Sequence, residues 1–157
     1  MAVKTIVQYG DEHLKAVCEP VKEIDQEIKE LIQNLKDTLG TVAGVGLAAP
    51  QIASNKRVVL IDVTQDHSQP IILINPRIIE ASKETIVDYE GCLSYVGYEG
   101  TVARPKRMVV EAIGENGKLM RYEVEDFMAR VFSHEMDHLD GICYMEKAEE
   151  MFSIQEE

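Results

Sequence analysis

Ser133-His134-Glu135-Met136-Asp137-His138-Leu139-Asp140-Gly141 is the stretch whose reading decides the fold and the chemistry. Residues four apart on a helix lie one above the other, so His134 and His138 can grip one metal ion. Glu135 sits beside them, within reach of a water on that ion. Two imidazoles and an adjacent carboxylate are the working end of a metal-assisted hydrolase. The chain has only four histidines, and two of them fall at this spacing around a glutamate.

Working outward, Phe127, Met128, Ala129, Val131, Phe132, Met136 and Leu139 make the surrounding segment apolar nearly all round. A helix of that kind is buried in the middle of a domain. Asp126 is its expected N-cap and Gly141 its C′ residue. Upstream, Arg107–Ile113 and Leu119–Val124 flank Gly114-Glu115-Asn116-Gly117, a hairpin pattern. Arg57–Val63 and Ile71–Asn75 read as strands, with Pro76 turning the second or placing it at an edge. Glu84–Tyr89 and Thr101–Arg104 are weaker strand candidates. Ile24, Ile28, Leu31, Ile32, Leu35 and Leu39 recur at helical spacing, predicting an amphipathic helix over 25–40 capped by Asp25. Asp11–Val17 reads as a short helical turn. The expected architecture is α+β: antiparallel strands and hairpins packed around a buried central helix carrying His-Glu-x-x-His.

A length of 157 residues fits one catalytic domain over 1–157, ending in an acidic tail from about residue 146 that reads as a fraying helix. The net charge of −12 argues against direct nucleic-acid binding or attachment to an anionic membrane, since both need basic patches. No apolar run is long enough to span a membrane. The start is too short in apolar residues for a secretory signal, so a cytoplasmic location is expected. Cys18, Cys92 and Cys143 are an odd set, which favours free thiols or one thiol recruited as a ligand.

Two histidines leave a catalytic site one ligand short. Glu146 downstream is one candidate. Cys92, in Glu90-Gly91-Cys92-Leu93-Ser94, is another, with Gly91 letting the backbone pass close to the metal. A third segment, Gly44-Val45-Gly46-Leu47-Ala48-Ala49-Pro50-Gln51, lacks the third glycine of a dinucleotide loop. It reads better as a small-residue edge segment ending in an amide, Gln51, that could donate to an oxyanion.

Together these three segments, in this order, resemble the motifs of the peptide deformylases: Gly-x-Gly-Leu-Ala-Ala-Pro-Gln, Glu-Gly-Cys-Leu-Ser and His-Glu-x-Asp-His-Leu-x-Gly. The resemblance implies that Cys92, His134 and His138 bind one divalent metal ion. Fe2+ is expected natively, with Zn2+, Ni2+ or Co2+ acceptable in preparations. It implies that Glu135 is the general base and acid, that Gln51 and the Leu93 N–H face the developing oxyanion, and that Gly46 pairs with an extended peptide. Val45, Phe127 and Val131 are the candidate lining of an apolar methionine pocket, and Glu90 and Gly91 complete the expected substrate-binding set. The implied substrates are N-formyl-methionyl peptides and nascent chains, with at most transient contact with the ribosome.

Several residues depart from the family pattern. Ser133 stands where glutamine is common, Val96 where many members carry proline, and Arg130 puts a cation one turn before His134. The tail lacks the basic extension of some relatives. Asp137, about 60° around the helix from the histidines, is expected to pair with Arg104. Two other readings are open: a zincin-like peptidase cutting internal bonds, and a binding protein that has lost catalysis.

Overall fold

The computed structural model describes residues 2–154; the first residue of the chain and the last three of the acidic tail lie outside the described residues. In chain order the elements are α1 (Gln26–Leu39), β1 (Gly46–Ala48), β2 (Val58–Ile61), β3 (Ile71–Ala81), β4 (Thr85–Cys92), β5 (Tyr95–Pro105), β6 (Arg107–Ile113), β7 (Leu119–Glu125), α2 (Phe127–Leu139) and β8 (Glu150–Ser153). Short 3-10 turns at Glu12–Leu14, Ala49–Ile52 and Tyr144–Glu146 complete the set.

The strands form two antiparallel sheets, one ordered β1-β2-β3-β6-β7 and one ordered β4-β5-β8. Strand β2, Val-Val-Leu-Ile, is buried along its whole length because both faces of its sheet are covered. Val58 and Leu60 point to α1, which buries Ile28, Leu31, Ile32, Leu35 and Leu39 against them. Val59 and Ile61 point the other way, to Ala129, Val131, Phe132, Met136 and Leu139 of α2. The period-2 strand and the two period-3.6 helices therefore meet as the sequence patterns require. Arg130 of α2 donates to the Val102 and Ile86 carbonyls of the smaller sheet, and Arg104 of that sheet donates to Asp137 of α2, so α2 is held between the two sheets. The antiparallel sheets and the buried helix bear out the α+β architecture.

Helix α1 begins where expected: the Asp25 carboxylate accepts the Ile28 N–H at 3.0 Å. Helix α2 ends as expected too. Gly141 adopts φ 76°, and the Ile142 N–H reaches back to the Asp137 carbonyl at 3.0 Å.

Other expectations need correction. Asp126 does not cap α2 with its side chain; its φ is 55° and its own N–H is held by the Lys106 carbonyl at 2.8 Å. The turn out of β7, fixed by β6, starts this helix. Strand β3 does not stop at Asn75 but runs through Pro76 to Ala81. The β3–β6 register shifts between Ile74 and Arg77, so a residue without an N–H falls where the ladder is interrupted. Asn75 takes φ 51° there while its side-chain amide brackets the Val21 backbone, accepting from its N–H and donating to its carbonyl, both at 2.8 Å. Strands β4 and β5 are longer than the segments expected for them. The tail forms strand β8, paired with β5, and not a fraying helix.

Candidate metal centre and cleft

Helix α2 presents His134 and His138 one turn apart on the face turned to the β4–β5 hairpin, whose end carries Cys92. One ligand atom from each of Cys92, His134 and His138 lies within 4.8 Å of the others. Cys92 Sγ is 3.4 Å from His138 Nε2. Glu146, the downstream candidate, instead accepts the Cys143 N–H at 2.7 Å.

His134 keeps Nε2 toward the cluster because Nδ1 lies 2.9 Å from Glu90 Oε1. A carboxylate on the far nitrogen fixes the ring's tautomer and direction, the usual support for a ligating histidine. Glu90 is itself a hub. Arg104 grips it with Nε at 2.8 Å and Nη2 at 2.9 Å, and Arg130 Nη1 adds a third contact at 2.6 Å. Burial alone would raise the Glu90 carboxyl, but the hydrogen bonds from Arg104 and His134 outweigh it and hold it at about 2. The remaining Arg104 nitrogen reaches Asp137 at 2.6 Å, the pairing expected from sequence, and Lys147 joins Asp137 at 3.0 Å. Arg130 does not extend to solvent. It is buried, and donates to the Val102 and Ile86 carbonyls at 2.9 and 2.7 Å.

Glu135 occupies the opposite wall. Its Oε2 is 3.9 Å from His134 Nε2, and its Oε1 is buried with no hydrogen-bond partner among the described residues. Burial raises its carboxyl to about 7. Burial works against a charged His134 ring, yet contacts with Cys92 and Glu90 raise its pKa overall; burial lowers that of His138. A thiolate and two imidazoles are the donor set of a divalent transition metal, so the residues fit such an ion.

Two glycines hold the remaining wall. A Cβ at Gly46 would come within 2.8 Å of Glu135 Oε2, and one at Gly44 within 2.9 Å of Leu93 Cδ1. The absence of side chains at these points lets β1, an edge strand, approach both Glu135 and the Leu93 turn. Gln51 sits in the 3-10 turn after β1. Its Oε1 accepts the Ala48 N–H at 2.9 Å, which aims Nε2 at Ser94 Oγ (3.0 Å) and Cys92 Sγ (3.6 Å).

These groups border a cavity of about 460 Å³. Of the expected set, Val45, Gly46, Gln51, Glu90, Gly91, Cys92, Leu93, Phe127, Val131, His134 and Glu135 all border it. Glu90 differs in kind from the other residues expected to bind substrate, because its carboxylate is already engaged by three protein groups. His138 lies behind, fully buried.

Some participants carried no signal in sequence. Tyr144 stacks on His134 with ring centres 5.8 Å apart, and His67 Nε2 lies 2.8 Å from the Gly44 carbonyl oxygen. Neither belongs to a motif. Ser94 was in plain view beside Cys92, but its bond to Gln51 depends on the fold.

Comparison with known proteins agrees with this geometry. The family model described as polypeptide deformylase matches residues 3–152. Peptide deformylase 2 of Clostridium perfringens is 56% identical over 156 residues, 99% of each chain. Peptide deformylase of Natranaerobius thermophilus is 42% identical over 156 residues, again 99% of each. The crystal structure of peptide deformylase from Thermotoga maritima superposes with a TM-score of 0.90 at 35% identity, covering 96% of this chain and 100% of that one. With its motifs, its cleft and its fold all in agreement, the chain belongs to the peptide deformylase family.

Proposed function

We propose that Cys92, His134 and His138 hold the divalent ion on which this family depends, and that Glu135 moves the proton. The family removes the N-formyl group from the N-terminal methionine of new proteins, releasing formate. A formamide is a neutral, poor electrophile. When bound, the ion supplies acidification of water and polarisation of the formyl carbonyl.

The protein's own groups do the rest. Glu135 takes a proton from the attacking water and returns it to the methionine nitrogen as the C–N bond breaks. Its raised pKa suits a group that must do both near neutrality. Gln51 Nε2 and the Leu93 N–H donate to the carbonyl oxygen as it gains charge. The free edge of β1 at Gly46 hydrogen-bonds the extended peptide. Val45, Phe127 and Val131 receive the methionine side chain, with Gly91 across the cleft. Glu90 acts through His134, as a positioning residue.

The observation that carries this reading is the ligand cluster within 4.8 Å beside a buried, unpartnered Glu135 oxygen. We infer Fe2+ as the native ion. Zn2+ should bind the same donors at least as tightly, so metal content in a preparation follows supply. The site of action is the cytoplasm, where formylated chains emerge. Ribosome contact is brief, because a net charge of −12 opposes attachment to RNA. No helix among the described residues is long and apolar enough to cross a membrane.

An anaerobic assay of formate release from a formyl-methionyl peptide, on iron-loaded protein, tests the proposal. Formate release that disappears in Cys92→Ala supports it. No release from protein carrying one metal ion per chain contradicts it.

A further inference from the structure

A peptide whose formylated end lies at Glu135 must leave through the mouth of the cleft, so its next residues cross whatever borders that mouth. Phe127 of α2, Tyr89 of β4, Val96 and Tyr98 of β5, and Ile154, which follows β8, all line the cleft. All are strongly exposed for apolar side chains; Val96 is 72% and Ile154 49% accessible. A contiguous exposed apolar border continuous with a substrate cleft marks a contact surface.

This border is firmly built. The Ile154 N–H donates to the Gly97 carbonyl at 2.9 Å, and Tyr98 pairs with Ser153 in the β5–β8 ladder. Gly100 makes the close approach of β8 feasible, since a Cβ there would lie 2.9 Å from the Glu150 carbonyl oxygen. Behind the border, Tyr95 stacks on Tyr98 at 4.6 Å and meets Tyr9 edge-on at 5.4 Å, while the Phe152 ring lies 6.0 Å from Tyr89. The Tyr89 and Tyr98 rings, held in this way, lose little entropy on binding.

We propose that the C-terminal strand β8, through Ile154 and with Val96 and Tyr98, seats the side chains of the second and third substrate residues and selects apolar or aromatic ones there. The proposal rests on the deformylase reading of the cleft. The strong net negative charge adds a bias against acidic residues at those positions.

Two peptides of equal length, formyl-Met-Leu-Phe and formyl-Met-Ala-Ser, separate this role from a general one. In Ile154→Ser, and in a chain ending at Glu149, KM for formyl-Met-Leu-Phe should rise roughly 3- to 10-fold through lost apolar burial. Both variants should keep kcat on the two peptides, and KM for formyl-Met-Ala-Ser should stay within about twofold of the parent value. Ile154→Ser changes one exposed side chain, so it remains informative if the shortened chain folds poorly. Equal KM changes for both peptides, or none for either, would overturn the proposal. So would an apolar contact between two copies of the chain through Ile154, detected as a dimer that the Ile154→Ser variant abolishes. Failure of the deformylase reading would look different: the unmodified protein would release formate from neither peptide.

Discussion

The two faces of the five-stranded sheet are built on opposite principles. The α1 face is apolar: Ile28, Leu31, Ile32, Leu35 and Leu39 meet Leu47, Val58, Leu60, Ile72 and Ile74, and shape and burial hold it together. The α2 face has a similar apolar layer, but behind it α2 carries buried Arg130, His134, Glu135 and His138 toward Glu90 and Arg104. Burying charge stabilises a fold poorly compared with burying hydrocarbon, and removing one partner of a buried pair is costly. The α2 side therefore accepts a costly arrangement that orients His134, while the α1 side anchors the sheet on which α2 packs.

The largest effect should come from the ligands. His138→Ala, His134→Ala and Cys92→Ala should each lose stable metal binding, because two donors rarely hold a divalent ion against water. Metal analysis of the purified variants checks this; one ion per chain in Cys92→Ala would remove Cys92 from the centre. Next, the two faces should respond differently to single changes. Arg104→Met leaves Glu90 and Asp137 short of a cation and should destabilise by about 3 kcal/mol, with altered metal affinity. Leu35→Ala, on the other face, should destabilise by about 2–5 kcal/mol through its cavity and leave metal affinity and kcat unchanged at temperatures where it is folded. Denaturant melts with and without metal compare them, and a large kcat loss in Leu35→Ala would blur the contrast.

A finer test is the coupling of Arg104 to Asp137. A double-mutant cycle with Arg104→Met and Asp137→Asn should give at least about 1 kcal/mol, whereas additivity would mean that their 2.6 Å contact contributes nothing. The smallest effect concerns the other thiols. Burial raises Cys18, and pushes Cys143 up to about 12. Since the thiolate is the reactive form, both should stay unlabelled by a neutral alkylating reagent up to about pH 9 in the folded protein and react once it unfolds. In the metal-free protein Cys92 should be the thiol labelled; peptide mapping reads the outcome.

What sequence revealed follows the same division. The α1 face was legible because its rule is local: apolar residues at helical spacing, with Asp25 to start them. The pair His134 and His138 was legible for the same reason, being one turn apart. The hub was not, because the partners of Glu90 lie 14, 40 and 44 residues away and no spacing announces them. Arg104–Asp137 could be anticipated only as a pair, without the carboxylate that Arg104 also holds. Strand β8 was missed because Glu150–Ser153 has no strand signature of its own; it is defined by β5 and by the space over Gly100. Pro76 misled because the rule against proline in a ladder assumes an uninterrupted register.

The central claim is that the α2 face holds a metal centre on which Glu135 acts as the proton carrier and not as a ligand. Glu135→Gln, loaded with iron without air and assayed for formate release beside the unmodified protein, tests it most directly. The account predicts one metal ion per chain in both and a turnover roughly 10²–10⁴-fold lower in the variant. Near-normal turnover, or loss of the metal from Glu135→Gln, would contradict it.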